Sequence, residues 1–85
     1  MNNIVNEIKM LIASVLSIDI NRLEHKTTIN DIASWDSIKH LEIIIQLEQV
    51  FDITINDEEV VELISLGRII ELVKKKLAIA NKYYS

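Results

Sequence analysis

The sequence predicts an all-α domain, and three observations carry that prediction. The 85-residue chain contains no proline and a single glycine. Ile, Leu, Glu and Lys dominate it, and the few aromatic residues do not suit a turn-rich β-sandwich or barrel. Apolar residues recur at helical spacing along most of its length. A chain of this size can bury one core, so we predict a single domain over residues 1–85, with a tail that frays over 79–85.

The first predicted helix covers residues 3 to about 17, where apolar residues form one stripe. The stripe consists of Ile4, Ile8, Leu11, Ile12 and Val15. From Ser17 to Asp36 the apolar residues are scattered among polar ones without a sustained period. We predict a long connecting loop here, pinned to the core by its apolar residues. Loops of this length within a compact domain are commonly functional.

The second helix is predicted to begin at or next to Ser37 and to continue to Phe51. The preceding residues supply several side chains that can cap a helix. Its apolar residues cover more than one face, so we expect some of them to remain exposed for a partner. The better core candidates are Ile43, Ile44, Leu47 and Phe51. Residues 52–55 alternate like a strand, but an isolated strand has nothing to pair with, so they are interpreted as an extended connector.

The last third of the chain predicts a short helix followed by a long one. Asn56 stands three residues before Glu59, the spacing of a capping box, and predicts the start of a short third helix extending to Leu63. Ser65 is a candidate cap for the last helix, in which the apolar stripe is Leu66, Ile69, Ile70, Val73 and Leu77. The sequence therefore predicts a four-helix bundle with a long loop between helices one and two and a short third helix.

The distribution of charge argues against nucleic acid as a partner. The net charge is −4, and residues 36–62 contain eight acids and one base. Affinity for phosphate backbones requires clustered Lys and Arg. A basic patch on a partner protein is the expected complement of this acidic centre.

Composition also bounds the chemistry and the location. The chain has no cysteine, so it offers no disulfide, thiolate metal site or thiol nucleophile. Its two histidines, His25 and His40, lack the spacing that gathers metal ligands on one face, and no metal site is expected. No apolar run is long enough for a membrane span or a signal peptide, so a cytoplasmic location is the expectation.

Asp36 and Ser37 stand where the loop becomes a helix, and they are the leading candidates for chemistry. Ser37 is expected to be exposed beside free backbone N–H groups that tolerate a phosphate. The pair by itself is also what an ordinary helix start looks like. Asp36, Ser37 and His40 contain the residue types of a hydrolytic triad, but one exposed helix start does not supply an orienting carboxylate and an oxyanion hole, so a hydrolase is the weaker interpretation.

The pattern from Trp35 to Ile53, together with the helix placement, resembles the acyl carrier protein family over nearly the whole chain. Asp36-Ser37-Ile38 matches the Asp-Ser-Leu motif of that family, with Ile in place of Leu. The resemblance implies that a phosphopantetheinyl transferase attaches 4'-phosphopantetheine from coenzyme A to Ser37. The thiol of the arm would then hold an acyl or aminoacyl group as a thioester. The chain would be a non-catalytic, monomeric carrier that serves loading and processing enzymes.

The resemblance also implies a partner surface on helix two. Glu42 and Glu48 match acidic recognition positions of the family, and Ile38, Leu41 and Ile45 match exposed apolar contacts; for Ile45, core packing is an equally good interpretation. Lys39 replaces a commonly acidic residue, and Gln49 is neutral where acid is frequent. These departures favour a carrier dedicated to a specialised biosynthetic pathway, with fatty acid synthesis as the alternative. An unmodified helical interaction module is the alternative from another class.

Overall fold

The structure is a computed structural model that describes the backbone of residues 3–84 and the side chains of residues 3–79. It contains α1 (Ile4–Leu16), a 3₁₀ turn (Ile20–Arg22), α2 (Ser37–Phe51), α3 (Asp57–Val60) and α4 (Leu66–Tyr84). The predicted all-α fold, the long loop between the first two helices and the short third helix are confirmed. None of the described helices is long and apolar enough to cross a membrane.

α1 begins and ends with local capping interactions. The Asn3 side chain accepts a hydrogen bond from the Asn6 backbone N–H at 3.0 Å. Ser17 adopts the left-handed conformation that ends many helices, with φ at 56°. Between these caps the predicted stripe faces inward, and Ile8, Ile12 and Leu16 are almost completely buried.

The core is formed where α1, α2 and α4 meet. α2 contributes Ile43, Ile44 and Leu47, as predicted, and α4 contributes Leu66, Ile69, Ile70 and Val73. The prediction for Phe51 is only partly right, because this side chain is half-buried and packs against the edge of the core. Phe51 is the last residue of α2, and the chain reverses direction at the next residue, Asp52, which has φ at 53°.

The loop between α1 and α2 is pinned to the core by apolar residues, as predicted, and hydrogen bonds order its backbone as well. Asp19 caps the 3₁₀ turn by accepting from the Asn21 N–H at 2.9 Å. The loop also contributes three buried residues to the core, namely Leu23, Ile32 and Trp35. It is therefore a packed part of the domain.

Three backbone hydrogen bonds join this loop to the start of α4, and we call them the loop clamp. The N–H of Gly67 donates to the carbonyl of His25 at 2.8 Å, and the N–H of Leu66 donates to that of Thr27 at 2.9 Å. The N–H of Ile29 donates to the carbonyl of Ile64 at 3.0 Å. A Cβ on Gly67 would lie 2.7 Å from His25 Nε2, so glycine permits the close approach of the His25 ring.

α3 is shorter than predicted, because its helical residues end at Val60. The predicted capping box is confirmed: Asn56 and Glu59 each accept a hydrogen bond from the other's backbone N–H. The Glu59 carboxylate also lies 2.9 Å from Lys76 Nζ, which ties α3 to α4.

α4 begins at Leu66, and Ser65 caps it as predicted, because the Ser65 Oγ accepts from the Arg68 N–H at 3.2 Å. The helix continues to Tyr84. Ser85 and the side chains of 80–84 lie outside the described residues, so the fraying of 79–85 stays a prediction.

Candidate functional site

Ser37 is the first residue of α2, and its side chain is exposed. Asp36 immediately before it is the N-cap: its Oδ1 accepts from the Lys39 N–H at 2.8 Å, and its carbonyl accepts from the His40 N–H at 2.8 Å. The cap therefore fixes the backbone on both sides of Ser37. The hydroxyl lies at the positive end of the helix, where the remaining N–H groups of the first turn favour an anionic substituent such as a phosphodiester.

A buried indole and a histidine flank this turn. Trp35 is 4% exposed, and its Nε1–H donates to His40 Nδ1 at 3.1 Å. The two ring centroids are 6.1 Å apart, with the ring planes tilted by 37°. On its other side, His40 Nε2 lies 3.2 Å from the carbonyl oxygen of Val60. Because the indole nitrogen can only donate, these contacts place the imidazole proton on Nε2.

These contacts also bear on the hydrolase interpretation of Asp36, Ser37 and His40. Both ring nitrogens of His40 are engaged, one with Trp35 and the other with Val60. The Asp36 carboxylate caps α2 through Lys39 N–H. The geometry of a triad, in which the carboxylate orients the histidine and the histidine contacts the serine, does not form. The sequence did not indicate that His40 contacts both Trp35 and Val60, because Val60 lies twenty positions further along the chain.

A groove of about 530 Å³ opens beside Ser37. The loop and α2 contribute Trp35, Ser37, His40 and Leu41 to its walls, and the opposite wall is formed by Val60, Val61 and Ile64. Most of these side chains are apolar, so the groove can shelter a flexible organic arm attached at its rim. An exposed hydroxyl, a helix N-terminus and an adjacent apolar groove together fit a phosphate-linked prosthetic group.

The predicted partner residues of α2 differ in how accessible they are. Ile38, Leu41 and Ile45 are 70%, 54% and 52% exposed, so the core interpretation of Ile45 is wrong. Glu42 is also exposed. A patch of apolar residues beside an acid therefore extends along α2 from Ser37, the arrangement expected of a protein-binding surface.

Lys39 and Glu48 are less free than the other predicted partner residues. Lys39 Nζ lies 3.9 Å from the Glu42 carboxylate, within one turn of the helix. Glu48 is half-buried, and its Oε2 accepts from the Ile55 N–H at 2.9 Å. Glu48 thus holds the connector after α2, and its contact with a partner stays a prediction. Among the described residues, no group of three or more His, Cys, Asp or Glu is placed to hold a metal ion.

Comparisons with known proteins agree with this geometry. Residues 6–73 match the family described as "Phosphopantetheine attachment site". The chain is 32% identical over 76 residues to an acyl carrier protein of Buchnera aphidicola subsp. Schizaphis graminum, covering 89% of this chain and 96% of that protein. The chain belongs to the acyl carrier protein family. It is also 31% identical over 71 residues to an acyl carrier protein of Clostridium acetobutylicum, covering 84% and 92% of the two chains.

The fold supports the same assignment. The solution structure of a holo acyl carrier protein from Geobacter metallireducens superposes with a TM-score of 0.83 at 31% identity, covering 92% of this chain and 90% of that one. The prosthetic group of the family is covalent 4'-phosphopantetheine, and the predicted cofactor and family are confirmed. When attached, the arm supplies the thiol that this cysteine-free chain lacks. Such a carrier interacts with the transferase that installs the arm and with acyl-processing enzymes.

Proposed function

We propose that Ser37 is the attachment residue and that the protein carries acyl or aminoacyl groups as thioesters on the arm. The observation that carries this proposal is the exposed Ser37 hydroxyl at the capped start of α2, on the rim of the apolar groove. Ser37 Oγ forms a bond to the phosphorus of the pantetheine phosphate of coenzyme A. The pyrophosphate bond of coenzyme A breaks, the nucleotide portion leaves, and the transferase accepts the serine proton.

The test is incubation with coenzyme A, Mg²⁺ and a broad-specificity phosphopantetheinyl transferase, followed by intact mass measurement. We expect the mass of one arm on the wild-type protein and none on Ser37→Ala. Ser14→Ala is the matched control, because Ser14 is exposed on α1. Ser37→Ala should lose at most about 1 kcal/mol of stability, since the capping oxygen belongs to Asp36. Modification of Ser37→Ala, or none of the wild type by several transferases, would refute the assignment.

The carrier is further proposed to serve a dedicated biosynthetic pathway, with fatty acid synthesis as the alternative. Lys39 supports this proposal, because it places a cation in the first turn of α2, two residues after Ser37. Gln49 also supports it, because this residue is neutral at a second position of the same helix where an acid is frequent in the family. Intact mass of the protein purified from its native host tests the proposal. A specialised acyl or aminoacyl group on the arm supports it, and a series of straight saturated chains of increasing length would favour fatty acid synthesis.

A further inference from the structure

We infer that His40 is a positioning residue for Ser37, acting as a hydrogen-bonded bridge between Trp35 and the end of α3. The inference rests on the proposed attachment at Ser37. His40 does not contact the reacting hydroxyl; it fixes the turn that presents the hydroxyl and the groove beside it.

The first half of the bridge encloses the Ser37 turn. Trp35 is the residue before the N-cap, and His40 is the fourth residue of α2. These are the two positions that meet in a hydrophobic staple, the contact that sets the angle at which a chain enters a helix. Here the staple includes a hydrogen bond of 3.1 Å. Because Trp35 is buried in the core, its hydrogen bond to His40 holds the start of α2 in one position relative to the core.

The second half of the bridge reaches α3. The carbonyl of Val60 lies at the end of a helix only four residues long, where carbonyls lack helical partners. It accepts from the Leu63 N–H at 3.2 Å and is also within 3.2 Å of His40 Nε2. The imidazole therefore connects the two walls of the groove at the point where Ser37 opens into it. Without the bridge, the end of α3 and the start of α2 lose a direct polar link.

The two bonds use the two ring nitrogens of His40 in different roles. Nδ1 accepts from the indole N–H of Trp35, and Nε2 donates to the carbonyl of Val60. A residue that replaces His40 must therefore offer one acceptor and one donor to keep the bridge.

Few charged groups surround the bridge. Asp36 lines the same groove, and its carboxylate is occupied as the N-cap. On α2 itself, Lys39 Nζ lies 3.9 Å from the Glu42 carboxylate. From α3, the Glu59 carboxylate is bound to Lys76 of α4. The loop contributes only uncharged side chains to the groove besides Asp36, and the described walls of the groove contain no second histidine.

Four variants test the bridge. His40→Phe removes both bonds but keeps a ring. His40→Gln keeps one acceptor and one donor in a group that does not titrate. Trp35→Phe removes the other end of the first bond, and the double variant combines Trp35→Phe with His40→Phe. Each is assayed for kcat/KM of the transferase at saturating coenzyme A, with circular dichroism to verify the helical fold.

We expect kcat/KM to fall about three- to tenfold in His40→Phe, the effect of losing one or two ordinary hydrogen bonds, and to recover largely in His40→Gln. The double variant should be no worse than His40→Phe, because the Trp35 side chain acts on the turn through its contact with His40. The indole N–H proton signal of Trp35, the only tryptophan, should shift between the wild type and His40→Phe, in which the indole loses its acceptor.

Several results would overturn the inference. If the wild type is modified and the folded His40→Phe variant is modified at the same rate, then Ser37 does not need the bridge. Additive losses in the double variant would show that His40 acts separately, for example by contacting the transferase. An indole signal that stays at the same position in His40→Phe would show that Trp35 does not donate to His40. Absence of any modification of the wild type would instead refute the attachment at Ser37, and the inference with it.

Discussion

Replacing Glu48 by alanine removes the acceptor that the Ile55 backbone N–H uses at 2.9 Å. A hydrogen bond to a charged group contributes about 1.5–3 kcal/mol, and the partial exposure of Glu48 places this bond at the lower end. Alanine has a higher helix propensity than glutamate, and this difference stabilises α2 by about a few tenths of a kcal/mol. We therefore expect the free energy of unfolding to fall by about 1–2 kcal/mol. For a domain of this size, each kcal/mol corresponds to a fall of roughly 4–8 °C in Tm.

Urea unfolding followed by circular dichroism measures this loss. Glu48→Gln keeps a neutral acceptor and should lose about half as much. Gln49→Ala changes the exposed neighbouring residue and should stay within about 0.5 kcal/mol of wild type. If Glu48→Ala were as stable as Gln49→Ala, the contact with Ile55 would carry no stability, and Glu48 would be free to act as a recognition acid.

Other perturbations follow from packing and charge. Ile43→Ala should cost about 2–5 kcal/mol in urea unfolding, and the half-buried Phe51→Ala less; the reverse order would contradict the described packing. The hydrogen bond to Lys76 and the backbone N–H of the capping box lower the pKa of Glu59 below its ordinary 4.5. Glu59→Gln should therefore cost about 1 kcal/mol at pH 7 and progressively less below about pH 4.5, and an equal cost at pH 3 would refute this linkage. Lys39→Glu should change the interaction free energy with a partner enzyme by about 1 kcal/mol or less. We expect it to improve turnover with fatty-acid-synthesis enzymes at low salt and to impair turnover with the native partner. No change with either enzyme would favour the fatty-acid alternative.

The helices could be predicted from the sequence because their signals are local. The stripe of α1, the cap at Asp36 and the capping box at Asn56 each depend on residues within one or two turns of the chain. For the same reason, Ser37 could be placed at the start of α2. The family resemblance added the prosthetic group, which no physical pattern in the chain identifies.

The parts that could not be predicted depend on contacts between distant segments or on a reversal of the chain. Phe51 is half-buried because the next residue, Asp52, adopts a left-handed conformation that carries the chain off the helix, and periodicity does not indicate this conformation. Glu48 meets Ile55 only because Asp52 adopts a positive φ. The bridge through His40 requires Val60, and the hydrogen bonds of the ordered loop require the start of α4. These arrangements are set by the folded domain and leave no repeating signal in the sequence.

The loop clamp has a consequence for the order in which the domain matures during synthesis. Two of its three donors, on Leu66 and Gly67, follow Ser37 by 29 and 30 residues and are therefore synthesised after it. Until they arrive, the backbone of 25–29 lacks its partners, and the segment that buries Leu23, Ile32 and Trp35 is not anchored. A nascent chain that ends before α4 therefore lacks the backbone partners that join this loop to the rest of the domain. The loop that precedes Ser37 can complete its packing only after the first residues of α4 have been synthesised.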